Sequence, residues 1–303
     1  MALDGAPVLQ SAGLSGLLPS GRKAGARGTS PQRSSIEVRS AAMTRSGLGQ
    51  VVLAVGLVTA AVDLRAEALT LTTPRGAVVE VIAELPPGPG PFPAVVLAPG
   101  QGYHMNLPAI EQPAKRLLSQ GVAVYRFNWA YFSRTTKGGS PSQDLSSEIE
   151  DLATVIARAR AEPRVDQRKV SVGGKSLGSV VAWRVLTNDK SLRSGLFLTP
   201  ICSTLDKGVA QPVSVADENY PGISTEQRRV SFIAGDRDPL CSPGVLYRFA
   251  ASSPSPTRVA VVGGDHGFGN RALQGALAEA SLARNIESVS VLVTSFILDA
   301  SAD

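Results

Sequence analysis

Gly174-Lys175-Ser176-Leu177-Gly178 is the stretch that decides the fold of this chain. It follows an apolar segment predicted as a strand, residues 169–173, and precedes a predicted helix, residues 177–186. The pattern is G-x-S-x-G, which is typical of a serine raised on a tight turn between a strand and a helix. Glycine is needed on both sides because side chains there would collide with neighbouring backbone. The pattern predicts Ser176 as a nucleophile and the Leu177 N–H as an oxyanion donor.

Two other interpretations compete for the same five residues. A phosphate-binding P-loop requires a glycine five positions before Gly174, but Lys169 stands there inside the predicted strand, which excludes it. A simple helix N-cap at Ser176 stays open at this point, because serine is favoured at N-caps and short motifs occur by chance. The segments that follow decide between a cap and a nucleophile.

Acidic residues and a histidine follow two further predicted strands. The strand at residues 229–234 runs into a turn that contains Asp236 and Asp238. The strand at residues 257–262 runs into a glycine-flanked turn with His266, one of two histidines in the chain. Because parallel strands end at the same edge of a sheet, we expect these side chains to approach Ser176.

The order Ser176, Asp238, His266 is the order of an α/β-hydrolase triad. In that scheme His266 accepts the serine proton and returns it to the leaving group, while Asp238 orients the imidazole. Asp238 is preferred because its spacing from Gly235 lets the turn fold back, and Asp236 is the alternative acid. Asp265 adjoins the histidine and is expected to stabilise the turn.

The second oxyanion donor is expected in the loop after an early strand. Residues 93–98 are predicted as that strand, and Pro99-Gly100-Gln101-Gly102-Tyr103-His104 follows. Glycines allow the backbone to approach a ligand closely, so the Gln101 N–H is the candidate donor. The alternative interpretation is that this loop is an ordinary tight turn without a role in binding. His104 is a candidate substrate contact, and an exposed loop histidine is the alternative.

Aromatic residues and a lysine are the remaining candidates for substrate contact. Trp129, Tyr131 and Phe132 follow the predicted strand at residues 122–128. They are candidates to line an acyl pocket, and ordinary packing beneath the sheet is an equally favoured interpretation. Lys175 is a candidate contact for an anionic substrate, but a lysine beside a nucleophile is more often solvated.

These segments together resemble the dienelactone-hydrolase-like superfamily of small α/β-hydrolases, over approximately residues 69–303. The resemblance depends on residues 96–102, 124–129, 172–178, 235–238 and 264–267. It implies a Ser-His-Asp hydrolase with one α/β domain. Lys175 stands where many esterases of this kind have histidine, aspartate or an apolar residue.

The alternation of predicted elements independently indicates an α/β fold with a mostly parallel sheet of about eight strands and helices on both faces. The opening strands, residues 68–72 and 77–85, are expected to be antiparallel. Helices are expected at residues 107–120, 144–161 and 271–299, the last with a break. The segment between about 200 and 229 has little periodicity, and we expect a loop with one short helix there and an open site.

Charge composition and the amino-terminal region limit the classes of function to consider. The chain has thirty Lys/Arg and twenty-five Asp/Glu, of which residues 1–68 hold seven and four. The charges of residues 69–303 are therefore nearly balanced, which gives no reason to propose nucleic acid as a partner. Residues 1–42 are predicted to be a disordered extension, and a translation start at Met43, which would exclude them from the natural protein, is the alternative. Residues 43–68 are predicted to be a signal peptide, with a basic start after Met43 and Ala66-Glu67-Ala68 as the cleavage site. An uncleaved anchor or a basic tail is the alternative, and no stable membrane span is expected after processing.

If the signal at Met43 is used, the protein is expected in the periplasm or outside the cell. If it is not used, the protein is expected in the cytoplasm. Cys202 and Cys241 follow strands that should be neighbours, so a disulfide is reasonable in an oxidising compartment, with two buried free thiols as the alternative.

The sequence thus predicts a serine hydrolase that cleaves carboxylic esters or related acyl bonds of a small molecule through an acyl-enzyme. No cofactor or metal is expected, because the residues show no metal-ligand spacing. An acyltransferase or peptidase with the same triad, or a binding module that keeps the fold without turnover, are the alternatives.

Overall fold

The computed structural model describes residues 65–132, 139–204 and 211–302. The disordered extension and most of the signal peptide that the sequence predicts lie outside these residues. The strands are β1 (Arg65–Thr72), β2 (Val78–Leu85), β3 (Phe92–Ala98), β4 (Ala123–Asn128), β5 (Val165–Lys175), β6 (Gly195–Leu198), β7 (Ser203–Thr204), β8 (Val213–Ser214), β9 (Val230–Gly235) and β10 (Thr257–Val262). The α-helices are α1 (Pro108–Ser119), α2 (Ser146–Arg160), α3 (Leu177–Asn188), α4 (Ala216–Asn219), α5 (Pro243–Ala250) and α6 (Gly275–Ala302).

Eight strands form one sheet in the order β1-β2-β4-β3-β5-β6-β9-β10. β2 pairs antiparallel with β1 and β4, and the remaining neighbours are parallel. The central strands are apolar runs because both of their faces are covered: all six residues of β4 and of β9 are buried. The mostly parallel eight-stranded sheet that the sequence predicts is therefore confirmed.

Helices cover both faces of this sheet, as predicted. The apolar faces of α2, α3 and α5 pack with one side of the sheet in a single buried cluster. Those of α1 and α6 pack with the other side. Loops at the carboxyl ends of β3, β5, β9 and β10 therefore emerge at one edge, where ligands bind in sheets of this kind.

Several elements differ from the sequence prediction. β1 begins at Arg65, inside the predicted signal peptide, because β2 continues to Leu85 and pairs with it. α5 was not predicted, although Pro243 at its first turn and the buried Val245, Leu246 and Phe249 are a short helix signal.

A further difference is α6, which runs unbroken where a break was expected. Two of its buried serines satisfy their hydroxyls inside the helix, Ser290 by donating to the Ile286 carbonyl and Ser301 by donating to the Ile297 carbonyl. This helix is long and apolar enough to cross a membrane by composition. Its buried residues pack on the sheet, which accounts for that composition.

The segment between β6 and β9 contains more than the expected loop and short helix. β7 and β8 form a two-stranded antiparallel ladder, and α4 follows; residues 205–210 lie outside the described part. A disulfide joins Cys202 to Cys241. The N–H groups of Cys202 and Ser203 both donate to the Leu240 carbonyl, at 2.9 and 3.0 Å. The disulfide and these bonds hold the segment after β6 against the loop after β9.

Replacing both cysteines by alanine should lower the free energy of unfolding. The bond closes a loop across a sequence separation of 39 residues, and the chain-entropy model gives about 4 kcal/mol for a loop of this length. Urea denaturation in non-reducing buffer measures the difference, and reduced wild-type protein is the control that should approach the variant. Equal unfolding midpoints for oxidised wild type and variant would contradict the expectation.

Candidate active site

Ser176 stands at the junction of β5 and α3 with an uncommon backbone conformation. Its φ is 54° and its ψ is −121°. The flanking glycines are required because a Cβ at Gly174 would lie 2.2 Å from the Gly178 carbonyl oxygen, and one at Gly178 would lie 2.4 Å from the Pro99 oxygen. A non-glycine residue at positive φ in such a tight turn is typical of a strained functional serine. The elbow that the sequence predicts is therefore present.

Ser176, His266 and Asp238 form one hydrogen-bonded chain. Ser176 Oγ lies 2.7 Å from His266 Nε2. His266 Nδ1 lies 2.9 Å from each carboxylate oxygen of Asp238. Because a carboxylate only accepts, the Nδ1–H donates to Asp238, and Nε2 is left to accept the serine proton. The Asp238 side chain is fully buried, whereas that of His266 is 19% exposed and open to the site.

The other two acids near the histidine have structural partners. The exposed Asp236 accepts the Gly264 N–H at 2.7 Å and is not bonded to His266. Asp265 accepts the N–H groups of Gly267 and Gly269 at 2.8 and 3.1 Å. Asp238 is thus the carboxylate that is bonded to His266, and Asp265 is bonded to the backbone of its own turn.

The two candidate oxyanion donors are the first residue of α3 and a residue of the loop after β3. The Leu177 N–H begins α3, and no hydrogen-bond partner is present for it among the described residues. Gln101 follows Gly100, where a Cβ would lie 3.2 Å from Ser176 Cβ, so its loop touches the nucleophile. The Gln101 N–H is also without a partner in the described part of the chain. Both amides are therefore free to donate to a ligand.

The aromatic residues after β4 do not form an open pocket wall. Trp129 is completely buried, and its Nε1–H donates to the Pro99 carbonyl at 3.0 Å. The expectation that Trp129 contacts substrate is corrected by this burial, since the indole supports the loop that carries Gln101. Tyr131 and Phe132 are half-buried and pack against the same core.

His104 is half-buried and lies against the side chain of Asn128 and the backbone of Asn106. Its Nε2 lies 3.1 Å from Asn128 Nδ2 and its Nδ1 lies 3.2 Å from the Asn106 N, and a neutral imidazole accepts from one of these two donors. Asn128 Oδ1 also accepts the Met105 N–H at 3.0 Å. His104 is therefore tied into the loop that follows β3 rather than free on the surface.

Lys175 is buried, which the sequence did not indicate. Only 3% of the residue is exposed, and its Nζ donates to the His266 carbonyl oxygen at 2.9 Å. The ammonium also lies 4.7 Å from the centre of the Tyr103 ring. The expectation of a solvated lysine is wrong, because the side chain turns inward between two loops of the site.

Sequence reasoning missed a buried network beneath the elbow. The Ser179 hydroxyl donates to the Ser176 carbonyl at 2.6 Å and lies 2.8 Å from Tyr220 Oη. Tyr220 Oη also accepts the Ile201 N–H at 2.8 Å. Burial raises the pKa of Tyr220, so it stays a neutral phenol in this network. No motif marked Tyr220, which lies in the segment without periodicity.

Acyl transfer through serine would need a nucleophile, a base, an orienting acid and amide donors, and the side chains of Ser176, His266 and Asp238 lie in the geometry that such a reaction would use. Among the residues that the structure describes, no group of three or more His, Cys, Asp or Glu side chains is arranged to bind a metal ion. A cavity of about 490 Å³ lies elsewhere, between α2 and α3, and none of the residues above lines it.

Comparison with known proteins agrees with this fold. Residues 92–294 match the family model of the alpha/beta hydrolase domain. The quorum-quenching protein AidA of Acinetobacter baumannii is 30% identical over 122 residues, which cover 39% of this chain and 38% of that protein. The match therefore spans less than half the length of this curated relative.

Two solved structures share the fold. The esterase Est22 superposes with a TM-score of 0.57 at 16% identity, over 79% of this chain and 82% of that one. XC6422 from Xanthomonas campestris, an α/β serine hydrolase without lid, superposes with a TM-score of 0.54 at 19% identity. The superposition covers 78% of this chain and 94% of that one. With the family match across two thirds of its length, the chain belongs to the α/β-hydrolase family.

Proposed function

We propose that this protein is a serine hydrolase that cleaves carboxylic esters through an acyl-enzyme on Ser176. The observation that supports it most strongly is the hydrogen-bonded chain from Ser176 Oγ through His266 to Asp238, at 2.7 and 2.9 Å. A serine that only capped a helix would have no need of a buried carboxylate and an imidazole aligned behind it.

The proposed reaction has two halves. Ser176 Oγ attacks the ester carbonyl carbon while its proton passes to His266 Nε2, and the Leu177 and Gln101 N–H groups donate to the oxyanion. The tetrahedral intermediate then breaks its bond to the alcohol oxygen, which takes the proton from His266. Water repeats the sequence: it gives a proton to His266, attacks the acyl carbon, and the serine oxygen leaves with that proton. Asp238 keeps its negative charge throughout and stabilises the imidazolium.

The choice of an ester over an amide or another acyl acceptor rests on the relatives. Est22 is an esterase and XC6422 a serine hydrolase by description, and both share the fold. Acyl transfer and peptide cleavage use the same triad, so product analysis with competing alcohols and amines separates them. A series of para-nitrophenyl esters of graded acyl length measures the size of the substrate.

We also propose that the protein is exported. The disulfide between Cys202 and Cys241 supports an oxidising compartment. Cleavage after Ala68 would remove the first half of β1 but would leave the pairs from Leu69↔Val81 to Thr72↔Val78. Amino-terminal sequencing of natively produced protein tests this proposal, and recovery of residues before Met43 would contradict it.

Replacement of Ser176 by alanine should abolish labelling by a fluorophosphonate probe and lower kcat for ester hydrolysis at least about a thousandfold, because the nucleophile is removed. Ser191→Ala is the matched control, since that serine is exposed and bonds only locally to Asp189. Gel fluorescence and para-nitrophenolate release measure the two effects. Labelling that persists in Ser176→Ala would contradict the assignment.

Asp238→Asn and Asp236→Asn should differ sharply in activity. An amide at position 238 no longer holds the Nδ1–H tautomer of His266, and loss of the orienting carboxylate costs about 10⁴ in kcat. Asp236 does not contact the histidine, so its variant should stay within about threefold of wild type, as surface changes usually do. Steady-state kinetics decides, and a larger loss at Asp236 than at Asp238 would reverse the assignment of the acid.

A further inference from the structure

The sheet does not by itself fix the nucleophile relative to the histidine. Ser176 follows β5, whereas His266 follows β10, and two strands, β6 and β9, lie between them. The ladders through β6 and β9 place the ends of β5 and β10, and contacts beyond those ends contribute to the distance between Ser176 Oγ and His266 Nε2. A misplacement of about 1 Å between reacting groups costs about a hundredfold in rate.

Lys175 makes such a contact with the loop that carries the histidine. It is the last residue of β5, its backbone pairs with Leu198 in the sheet, and it directly precedes the nucleophile. From that fixed position its Nζ reaches across to donate to the backbone carbonyl of His266 at 2.9 Å. The lysine therefore holds the His266 backbone, while the Ser176 hydroxyl meets the ring of the same residue.

The same ammonium contacts the loop of the proposed oxyanion donor. It lies 4.7 Å from the centre of the Tyr103 ring, within the range of a cation–π interaction. Tyr103 is two residues after Gln101, and its N–H donates to the Gly100 carbonyl at 3.2 Å. One buried charge thus touches both loops that must meet at the nucleophile.

Burial of this charge is unfavourable for folding. It lowers the pKa of Lys175 from 10.5 to about 8, while the charges of Asp238 and Asp265 oppose the shift. The groups that face the ammonium are those two carboxylates, His266 and the ring of Tyr103. A methionine of similar length would fill the space without the desolvation cost, so packing alone does not explain a lysine at this position.

We propose that Lys175 is a positioning residue that fixes the His266 loop and the Gln101 loop around Ser176 for the proposed hydrolysis. This role replaces the contact with an anionic substrate suggested by the sequence, because the ammonium is buried and already donates to protein. The proposal rests on the proposed function, and it predicts that the charge of Lys175 contributes to turnover while it lowers stability.

The test compares Lys175→Met and Lys175→Arg with Lys169→Met. Lys169 is a matched control: it lies on the same strand and its Nζ also donates to a backbone carbonyl, that of Ser301 at 2.6 Å, far along the strand from the site. Fluorophosphonate labelling rates and steady-state kinetics with para-nitrophenyl acetate are measured from pH 6 to 9.5. Thermal unfolding of each variant is recorded at pH 7 and pH 10.

We expect Lys175→Met to lower kcat and the labelling rate about ten- to hundredfold with KM nearly unchanged. Lys169→Met should leave both rates at the wild-type value. The wild-type rate should fall as the pH passes about 8 and the ammonium loses its proton. Lys175→Arg keeps its charge, so it should recover part of the rate and lack this fall.

Stability should move in the opposite direction. The folded-state pKa of Lys175 lies below its unfolded value, so the cost of the buried charge is fully present below pH 8 and disappears between about 8 and 10.5. Lys175→Met should therefore unfold at the same or a higher temperature than wild type at pH 7, and its advantage should shrink at pH 10. A residue needed only for packing would give a lower unfolding temperature.

Three results would overturn the proposal. Lys175→Met with wild-type kcat and pH profile would show that the charge does not position the loops. A raised KM with unchanged kcat would make Lys175 a substrate contact instead. Lost activity together with a lowered unfolding temperature at pH 7 would reduce it to a packing residue. Absence of labelling in wild type is a separate outcome, which would contradict the proposed function itself.

Discussion

The positive φ of Ser176 is the constraint on which the site depends. A backbone held in such a region costs about 1–3 kcal/mol, so the surroundings must impose it. They do so from both sides: the Ser176 N–H donates to the Leu198 carbonyl at 3.0 Å, and its own carbonyl accepts from the Ser179 N–H and hydroxyl. The hydroxyl is thereby directed at His266, and the first amide of α3 is left free.

The parts of the structure that follow from local constraints could be predicted from sequence. Continuous apolar runs identify parallel strands buried on both faces, which is why β9 was located correctly. β10 is a partly exposed edge strand, and its run of β-branched residues was the signal that located it. The glycines around Ser176 are set by contacts within a few residues, so their spacing was sufficient to predict the elbow. The order of the three candidate triad residues follows from strand order at one edge of the sheet.

The features that sequence did not indicate depend on contacts between distant segments. Lys175 is adjacent to Ser176 in the chain, but its burial results from Tyr103 and His266, which come from other loops. Trp129 follows a strand as an active-site residue would, yet the Pro99 carbonyl gives its indole a partner inside the core. Neither environment is visible in the pattern of neighbouring residues, because each is created only when the sheet brings the loops together.

The covalent intermediate is the most direct test of the hydrolase assignment. Rapid-quench mass spectrometry during turnover of a para-nitrophenyl ester should find one acyl group per chain, on the peptide that contains Ser176, together with a burst of para-nitrophenolate of one equivalent. Accumulation requires that deacylation be slow, so a bulky acyl ester is the substrate of choice. Acylation at another residue, or turnover with a burst but no adduct on Ser176, would contradict the account.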